Sequence, residues 1–217
     1  RLIKLFEDEL DYEVLGNWKD RADNSNIEEE YLRRHLEAQI DDEGQRLYSD
    51  SAISQAVFKL RNEATNPTRT LYENNRAVYD LLRYGVNVHP EVDQNSETVK
   101  LIDWDNPANN HFALAEEVTL RGDNERRPDI VLYLNGIATS VIELKNSRVS
   151  VESGIRQNLS NQQPEFNAWF FTTVQFVFAG NDSQGLRYGT ILTQEKFFTS
   201  WREDIEDNSR LKLDKYI

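Results

Sequence analysis

Two β-rich runs, residues 129–134 and 137–145, flank Asn135-Gly136. Asn and Gly both tolerate the left-handed backbone of a tight turn, so this dipeptide between apolar runs commits the chain to an antiparallel hairpin. Asp129, Glu143 and Lys145 lie in or beside these otherwise apolar strands. Charges buried there cost free energy unless they pair with one another or hold a metal. Glu143 and Lys145 are two positions apart, so on a strand they share a face at a spacing of about 7 Å.

Register decides whether Asp129 joins them. A two-residue Asn135-Gly136 loop with regular pairing sets Asp129 opposite Ile142 and turns Glu143 to the other face. A three-residue loop, Leu134-Asn135-Gly136 with a bulge at Gly136, sets Asp129 opposite Val141, on the face of Glu143 and Lys145. A shared site therefore requires the bulged turn or an equivalent odd-numbered correction. With that correction, two carboxylates and a lysine converge on one sheet face. Carboxylate oxygens, the Leu144 backbone carbonyl and waters suit Mg²⁺, leaving positions for phosphate oxygens. Lys145 is then placed to orient a water whose pKa the ion has lowered, for in-line attack on a phosphodiester. The bland alternative is a Lys–Glu pair at a strand end and an Asp that merely starts a strand after Pro128.

The rest of the chain frames this hairpin. Residues 25–36 read as a capped helix, with Ile27, Tyr31, Leu32 and Leu36 at helical spacing. Further helices are expected over about 51–64 and 71–84, the last closed by Gly85. Residues 98–102 read as a strand fragment within loop, and 112–120 as a strand followed by a turn at 121–124. Val151, Ile155 and Leu159 recur at i, i+4 and i+8 and mark a helix over 151–162. The nearly continuous apolar run 169–179 reads as a central strand buried on both faces. A turn at 180–185 and a strand over 186–192 follow, and from 197 the chain is expected to start helical and end as a tail. Helices, three strands, a helix and two strands make an α/β fold: a mixed central sheet flanked by helices. The expected division is a helical extension over 1–110 packed on the core, the core itself over 111–200, and a linker over 201–217.

Composition limits the function classes. Of the 217 residues, 38% are apolar and 11% aromatic, enough for a sizeable core. The absence of Cys excludes disulfides, thiolate metal sites and cysteine nucleophiles and fits a cytoplasmic setting. No apolar run approaches the roughly 20 residues of a membrane span, so no membrane partner is expected. The chain starts at Arg1 and lacks Met, and it reads as a fragment or processed product. The net charge of −13 argues against a simple cationic nucleic-acid binder. Residues 1–110 carry 13 Lys/Arg against 23 Asp/Glu, whereas 111–217 carry 12 against 15, so a polyanion-facing surface belongs in the second half. Arg126, Arg127, Arg148 and Arg156 flank the motif there as candidate phosphate contacts. Glu116-Glu117 lies in the preceding strand as a further carboxylate source. His35, His89 and His111 show no ligand spacing.

Pro128-Asp129, followed by Glu143-Leu144-Lys145, resembles the signature of the PD-(D/E)xK nuclease superfamily. The wider context resembles more specifically the N-terminal nuclease domain of the restriction (motor, R) subunit of type I restriction–modification enzymes. It comprises Asn24 to Glu29, Arg127 to Leu132, Val141 to Lys145, Gly154 to Asn158 and Ala179 to Asp182, and the likeness runs from about residue 17 to 200. The resemblance implies a restriction-endonuclease-like core, a metal-binding Asp129 and Glu143, and a catalytic Lys145. It also implies a helical Gln-x-x-x-Tyr motif: Gln157 matches, while Asn161 stands where Tyr is expected. A glutamate of the first helix belongs to the pattern and Glu28 matches best, with Glu29 next, although Ser25-x-x-Glu28 is also a capping box. The implied activity is Mg²⁺-dependent (or Mn²⁺-dependent) endonucleolytic hydrolysis of double-stranded DNA. Methylation and specificity subunits are the implied partners. Gly180-x-x-x-x-Gly185 lacks the Lys-Ser/Thr of a phosphate-binding loop, so ATP is implied only for a motor outside these residues. A non-catalytic docking module of nuclease fold and a free-standing repair or structure-selective nuclease remain alternatives.

Overall fold

The computed structural model describes residues 1–89 and 96–202. It is an α/β fold around a mixed seven-stranded sheet, consistent with a restriction-endonuclease-like core. The helices among the described residues are α1 (Leu2–Asp8), α2 (Glu29–Ala38), α3 (Asp50–Ala64), α4 (Leu71–Tyr84) and α5 (Val151–Asn161). The strands are β1 (Glu13–Asn17), β2 (Val86–Val88), β3 (Glu97–Val99), β4 (Phe112–Glu116), β5 (Ile130–Leu134), β6 (Ile137–Leu144), β7 (Phe176–Asn181), β8 (Gly185–Gly189) and β9 (Thr199–Ser200). The main sheet runs β1-β4-β5-β6-β7-β8-β9, with β1/β4 and β6/β7 parallel and the other pairs antiparallel; β2 and β3 form a separate pair.

Alternation along β5 and β6 gives the sheet two apolar faces. Val131, Tyr133 and Val141 meet Val151 and Ile155 of α5 on one face. Ile130, Leu132 and Ile142 meet Leu2, Leu5 and Phe6 of α1 on the other. Helices α2 to α4 and the β2–β3 pair close a second core that reaches Ile137 beside the hairpin turn. The first 110 residues are thus more than the helical extension expected, because β1 is an edge strand of the main sheet and α1 covers one of its faces. Apart from Trp201 and Arg202, the tail expected over 201–217 lies outside the described residues.

The hairpin carries the main correction. Asn135 (φ 52°) and Gly136 (φ 78°) are both left-handed, the geometry of a two-residue type I′ turn, and Leu134 pairs with Ile137. The three-residue bulged turn does not form. The odd residue lies within β6 instead: Tyr133 faces Ala138 but Leu132 faces Ser140, which leaves Thr139 as the extra residue of a bulge. Ala138 N–H donates to the Asn26 carbonyl at 2.9 Å, and Ile27 bridges Ile137, so the incoming N-terminal chain diverts β6 there. Past the bulge Ile130 faces Ile142, and one further step sets Asp129 across from Glu143, on one face.

The turn admits no other residue at 136. A Cβ there would lie 2.6 Å from the Glu28 carbonyl oxygen and 2.8 Å from the Leu32 nitrogen. Gly136→Ala adds left-handed strain to that clash and is expected to cost about 3–4 kcal/mol, read as a lower urea midpoint with an unchanged slope. An unchanged midpoint would refute this account of the turn.

Three other expectations give way. The run 169–179 is a strand only from Phe176; residues Ala168–Thr172 form a 3₁₀ turn. Phe170 and Phe171 are fully buried as the apolar pattern implies. The carbonyls of this segment, however, accept from side chains: Asn26 Nδ2 donates to Trp169 and Phe170, and Asn75 Nδ2 donates to Phe171, Thr172 and Val174. The strand expected over 112–120 ends at Glu116, because Glu117 turns left-handed (φ 51°). After a short 3₁₀ turn at Glu195–Phe197, the helix expected from 197 is replaced by β9 on the edge of β8.

Candidate active site

Beyond the corrected register, β5 and β6 bring Asp129, Glu143 and Lys145 together at the end of the hairpin remote from its turn. Asp129 Oδ2 accepts from Leu144 N–H at 2.7 Å, which ties the carboxylate to the neighbouring strand. Glu143 Oε1 accepts from Lys145 Nζ at 2.7 Å, and the same Nζ donates to Gln157 Oε1 at 2.7 Å. Gln157 therefore reaches the site through the lysine, from one turn beyond Gly154 on α5. Gly154 allows that approach: a Cβ there would meet Ala179 Cβ at 3.1 Å and Lys145 Cγ at 3.4 Å.

Burial sets the electrostatics. The Glu143 side chain is only 2% exposed, and its second oxygen, Oε2, is buried with no hydrogen-bond partner. Burial, helped by the charge of Asp129, pushes the Glu143 carboxyl up to about 7 despite the opposing pull of Lys145. Asp129 is also raised, chiefly by burial, against its Leu144 hydrogen bond and the Lys145 charge. Two desolvated carboxylates facing each other, one with an unsatisfied oxygen, form a hard-oxygen donor set. The lysine supplies a cation whose two acceptors leave one ammonium proton for a further partner.

A cavity of about 530 Å³ opens beside these groups, lined among others by Glu116, Glu117, Asp129, Lys145, Asn146 and Asp182. Asp182 is an addition that the sequence reading did not place in the site, whereas Glu116-Glu117 was only a lower-ranked carboxylate source there. Glu116-Glu117 carried a signal as paired acids at the end of a strand, and Asp182 one as the last residue of the Ala179-to-Asp182 stretch. Among the described residues, no three His, Asp or Glu side chains stand close enough to surround one metal ion.

Other candidates lie elsewhere. Glu28 is buried in a two-point ion pair with Arg21 at 2.6 and 2.9 Å and accepts from Ser25 N–H. Its own N–H donates to the Gly136 carbonyl, so it sits at the turn end of the hairpin, roughly 20 Å of strand from Glu143. The expected capping box is not formed, because α2 starts at Glu29 with Glu28 at its N-cap and Ser25 Oγ accepts from Ile27 N–H, and Glu28 does not join the site. Arg127 pairs with Glu117 at 2.7 Å, Arg156 pairs with Glu195 at 2.8 Å, and Arg126 lies over the Phe166 ring at 3.8 Å. Arg148, on the loop between β6 and α5, is exposed and makes no ion pair among the described residues. Asn161 is fully buried, and neither of its amide atoms has a hydrogen-bond partner. The histidines stay outside: His35 is buried at the second core with its pKa pushed down to about 4 by burial, His111 pairs with Glu13, and His89 lies beside Gln55.

The family model described as type I restriction enzyme R protein N terminus matches residues 1–196. The type I restriction enzyme HindI endonuclease subunit of Haemophilus influenzae is 30% identical over 169 residues, covering 76% of this chain and 16% of the relative. A putative type I restriction enzyme endonuclease subunit of Methanocaldococcus jannaschii, MjaVIIIP, is 28% identical over 181 residues, covering 81% and 16%. The chain therefore corresponds to 16% of the length of these curated relatives.

Proposed function

Because the chain belongs to the family of type I restriction enzyme R protein N termini, we propose that it is the DNA-cutting module of such a subunit, a Mg²⁺-dependent endonuclease with Asp129, Glu143 and Lys145 at its centre. The observation that carries the reading is the Glu143 carboxylate, almost fully buried between Asp129 and Lys145 with Oε2 unpartnered. A scaffold gains nothing from such a group, whereas a divalent cation offsets the cost of burying it.

Asp129, Glu143 and the Leu144 carbonyl would hold Mg²⁺, with Mn²⁺ able to substitute. Bound there, the ion would lower the pKa of a coordinated water and polarise a phosphate oxygen. The Asp129 carboxylate is fixed by Leu144 N–H and the Glu143 carboxylate by Lys145, so both are oriented before any substrate arrives. Lys145 Nζ, steadied by Gln157, keeps one proton to orient the attacking water or to meet the developing charge at the phosphate. Arg148 offers an exposed phosphate contact on the adjoining loop, and Arg127 and Arg156 could do so on leaving their carboxylate partners.

The substrate of this reading is double-stranded DNA, delivered by an ATP-driven motor outside these residues. Methylation and specificity subunits of the same restriction system set where cutting occurs, in the cytoplasm. A net charge of −13 fits that division, since affinity for a polyanion can come from the rest of the assembly. Among the described residues no helix is long and apolar enough to cross a membrane.

Calorimetric titration of Mg²⁺ or Mn²⁺ into the 217-residue chain tests the metal site directly. Saturable heat is expected, lost in both Asp129→Ala and Glu143→Ala. Heat that survives both substitutions would show that the cation binds elsewhere and would remove the basis of the proposal.

A further inference from the structure

The cavity beside Asp129 holds a third carboxylate that is committed elsewhere. Glu117 lines it, just past the end of β4 and beside Asp129. Its N–H donates to the Asp129 carbonyl at 2.8 Å, and its backbone is left-handed (φ 51°). A left-handed glutamate is uncommon, and here it ends β4 at the point where the chain passes Asp129. Yet the Glu117 Oε2 is held at 2.7 Å by Arg127 Nε. Both side chains are partly exposed, at 36% and 42%, so the ion pair is weak enough to be exchanged for other partners.

A second observation is independent of that pair. Glu143 Oε2 is buried and unpartnered, and as placed Glu117 does not complete a three-carboxylate group with Asp129 and Glu143. We propose that Glu117 is a third carboxylate for the divalent cation, held away from it by Arg127 and released when a DNA phosphate takes the Arg127 guanidinium. The inference rests on the metal-dependent reading above and adds a regulation to it. A guanidinium matches phosphate as well as carboxylate, so a phosphate can compete for Arg127 directly. Each added carboxylate raises affinity for a hard cation, so phosphate engagement at Arg127 strengthens cation binding, and by linkage the cation strengthens phosphate engagement. Binding to bare chain is then weak, and the site is complete only with DNA beside it.

A double-substitution cycle read by Mn²⁺ calorimetry on the 217-residue chain tests this, with no cutting required. Arg127→Ala is expected to tighten Mn²⁺ about threefold or more by freeing Glu117, and Glu117→Gln to weaken it by a similar factor. Loss of a nearby positive charge would by itself tighten a cation, so the decisive arm is Arg127→Ala in the Glu117→Gln background, where the gain must vanish. An equal gain in both backgrounds overturns the proposal, as does Mn²⁺ affinity unchanged by Glu117→Gln. A second arm adds a short DNA duplex, which should tighten Mn²⁺ by a larger factor in the parent chain than in Arg127→Ala; equal tightening in both overturns the proposal. Asp129→Asn separates the two levels. If it abolishes binding while the Glu117 cycle shows no coupling, the cation site stands and only the release mechanism fails. If Asp129→Asn leaves binding intact, the metal-dependent reading itself fails.

Discussion

Lys145→Ala in the complete restriction subunit is expected to lower DNA cutting by about 10²–10⁴-fold, while ATP hydrolysis and translocation proceed at parental rates. The size follows from what the side chain does. Lys145 Nζ lies 2.7 Å from Glu143 Oε1 and 2.7 Å from Gln157 Oε1, with its remaining proton available to the reacting groups. Alanine removes that proton source and also leaves Glu143 buried without its counter-charge. Asp129→Ala should be as severe, since Asp129 is both a proposed cation ligand and a tie to Leu144. Gln157→Ala should be milder, about tenfold, because Gln157 acts through the lysine. Cutting of a circular substrate, compared with ATP turnover on the same preparation, separates damage at this site from damage to the assembly. Nicking that persists in both Lys145→Ala and Asp129→Ala would transfer the function to a docking role for this domain.

How much of this site the sequence disclosed is clearest at the hairpin. Asn135-Gly136 named the turn, and the charges in apolar strands named the chemistry, both through local preferences that survive folding. Placing Asp129 with Glu143 required an odd residue somewhere, a parity condition that sequence can state and not locate. Its position at Thr139 depends on Asn26 docking on Ala138, a contact across more than 100 residues that no window on the hairpin contains. The run 169–179 failed for a related reason. Its apolar pattern reported burial correctly, but its backbone partners are the side-chain amides of Asn26 and Asn75 rather than a neighbouring strand. No element was expected before residue 25, so α1, with Leu2, Leu5 and Phe6 buried over the active sheet, was missed. Glu28 fits neither reading: the Ser25 N–H bond is half of a capping box, but the helix starts at Glu29 with Glu28 itself at the N-cap, and the carboxylate is held by the Arg21 ion pair.

The second large effect is on stability, and its sign is unusual for a site residue. In the metal-free protein Glu143 titrates near 7 instead of its ordinary 4.5, so the folded state holds this proton more tightly than the unfolded chain. Its contribution is therefore fully present below about pH 4.5 and is lost as pH rises through 7, a swing of about 3 kcal/mol at most. Asp129 is shifted in the same direction. His35 works oppositely across nearly the same window: its pKa is lowered to about 4, so its contribution is present above about 6.5 and lost as pH falls towards 4. The two slopes oppose each other in the parent protein between about pH 4.5 and 6.5, so its raw pH profile does not isolate either group. The difference between Glu143→Gln and the parent isolates the carboxylate. Glu143→Gln is expected to melt at about the parental temperature at pH 4.5 but several degrees higher at pH 8, since it removes a buried charge. Millimolar Mg²⁺ should close that gap by stabilising only the parent, because binding to the folded state alone raises stability by mass action. A site that weakens the fold without its cation and recovers with it is what a built metal site requires, whereas a structural Lys–Glu pair predicts that Glu143→Gln lowers the melting temperature at pH 8 and that Mg²⁺ changes neither protein.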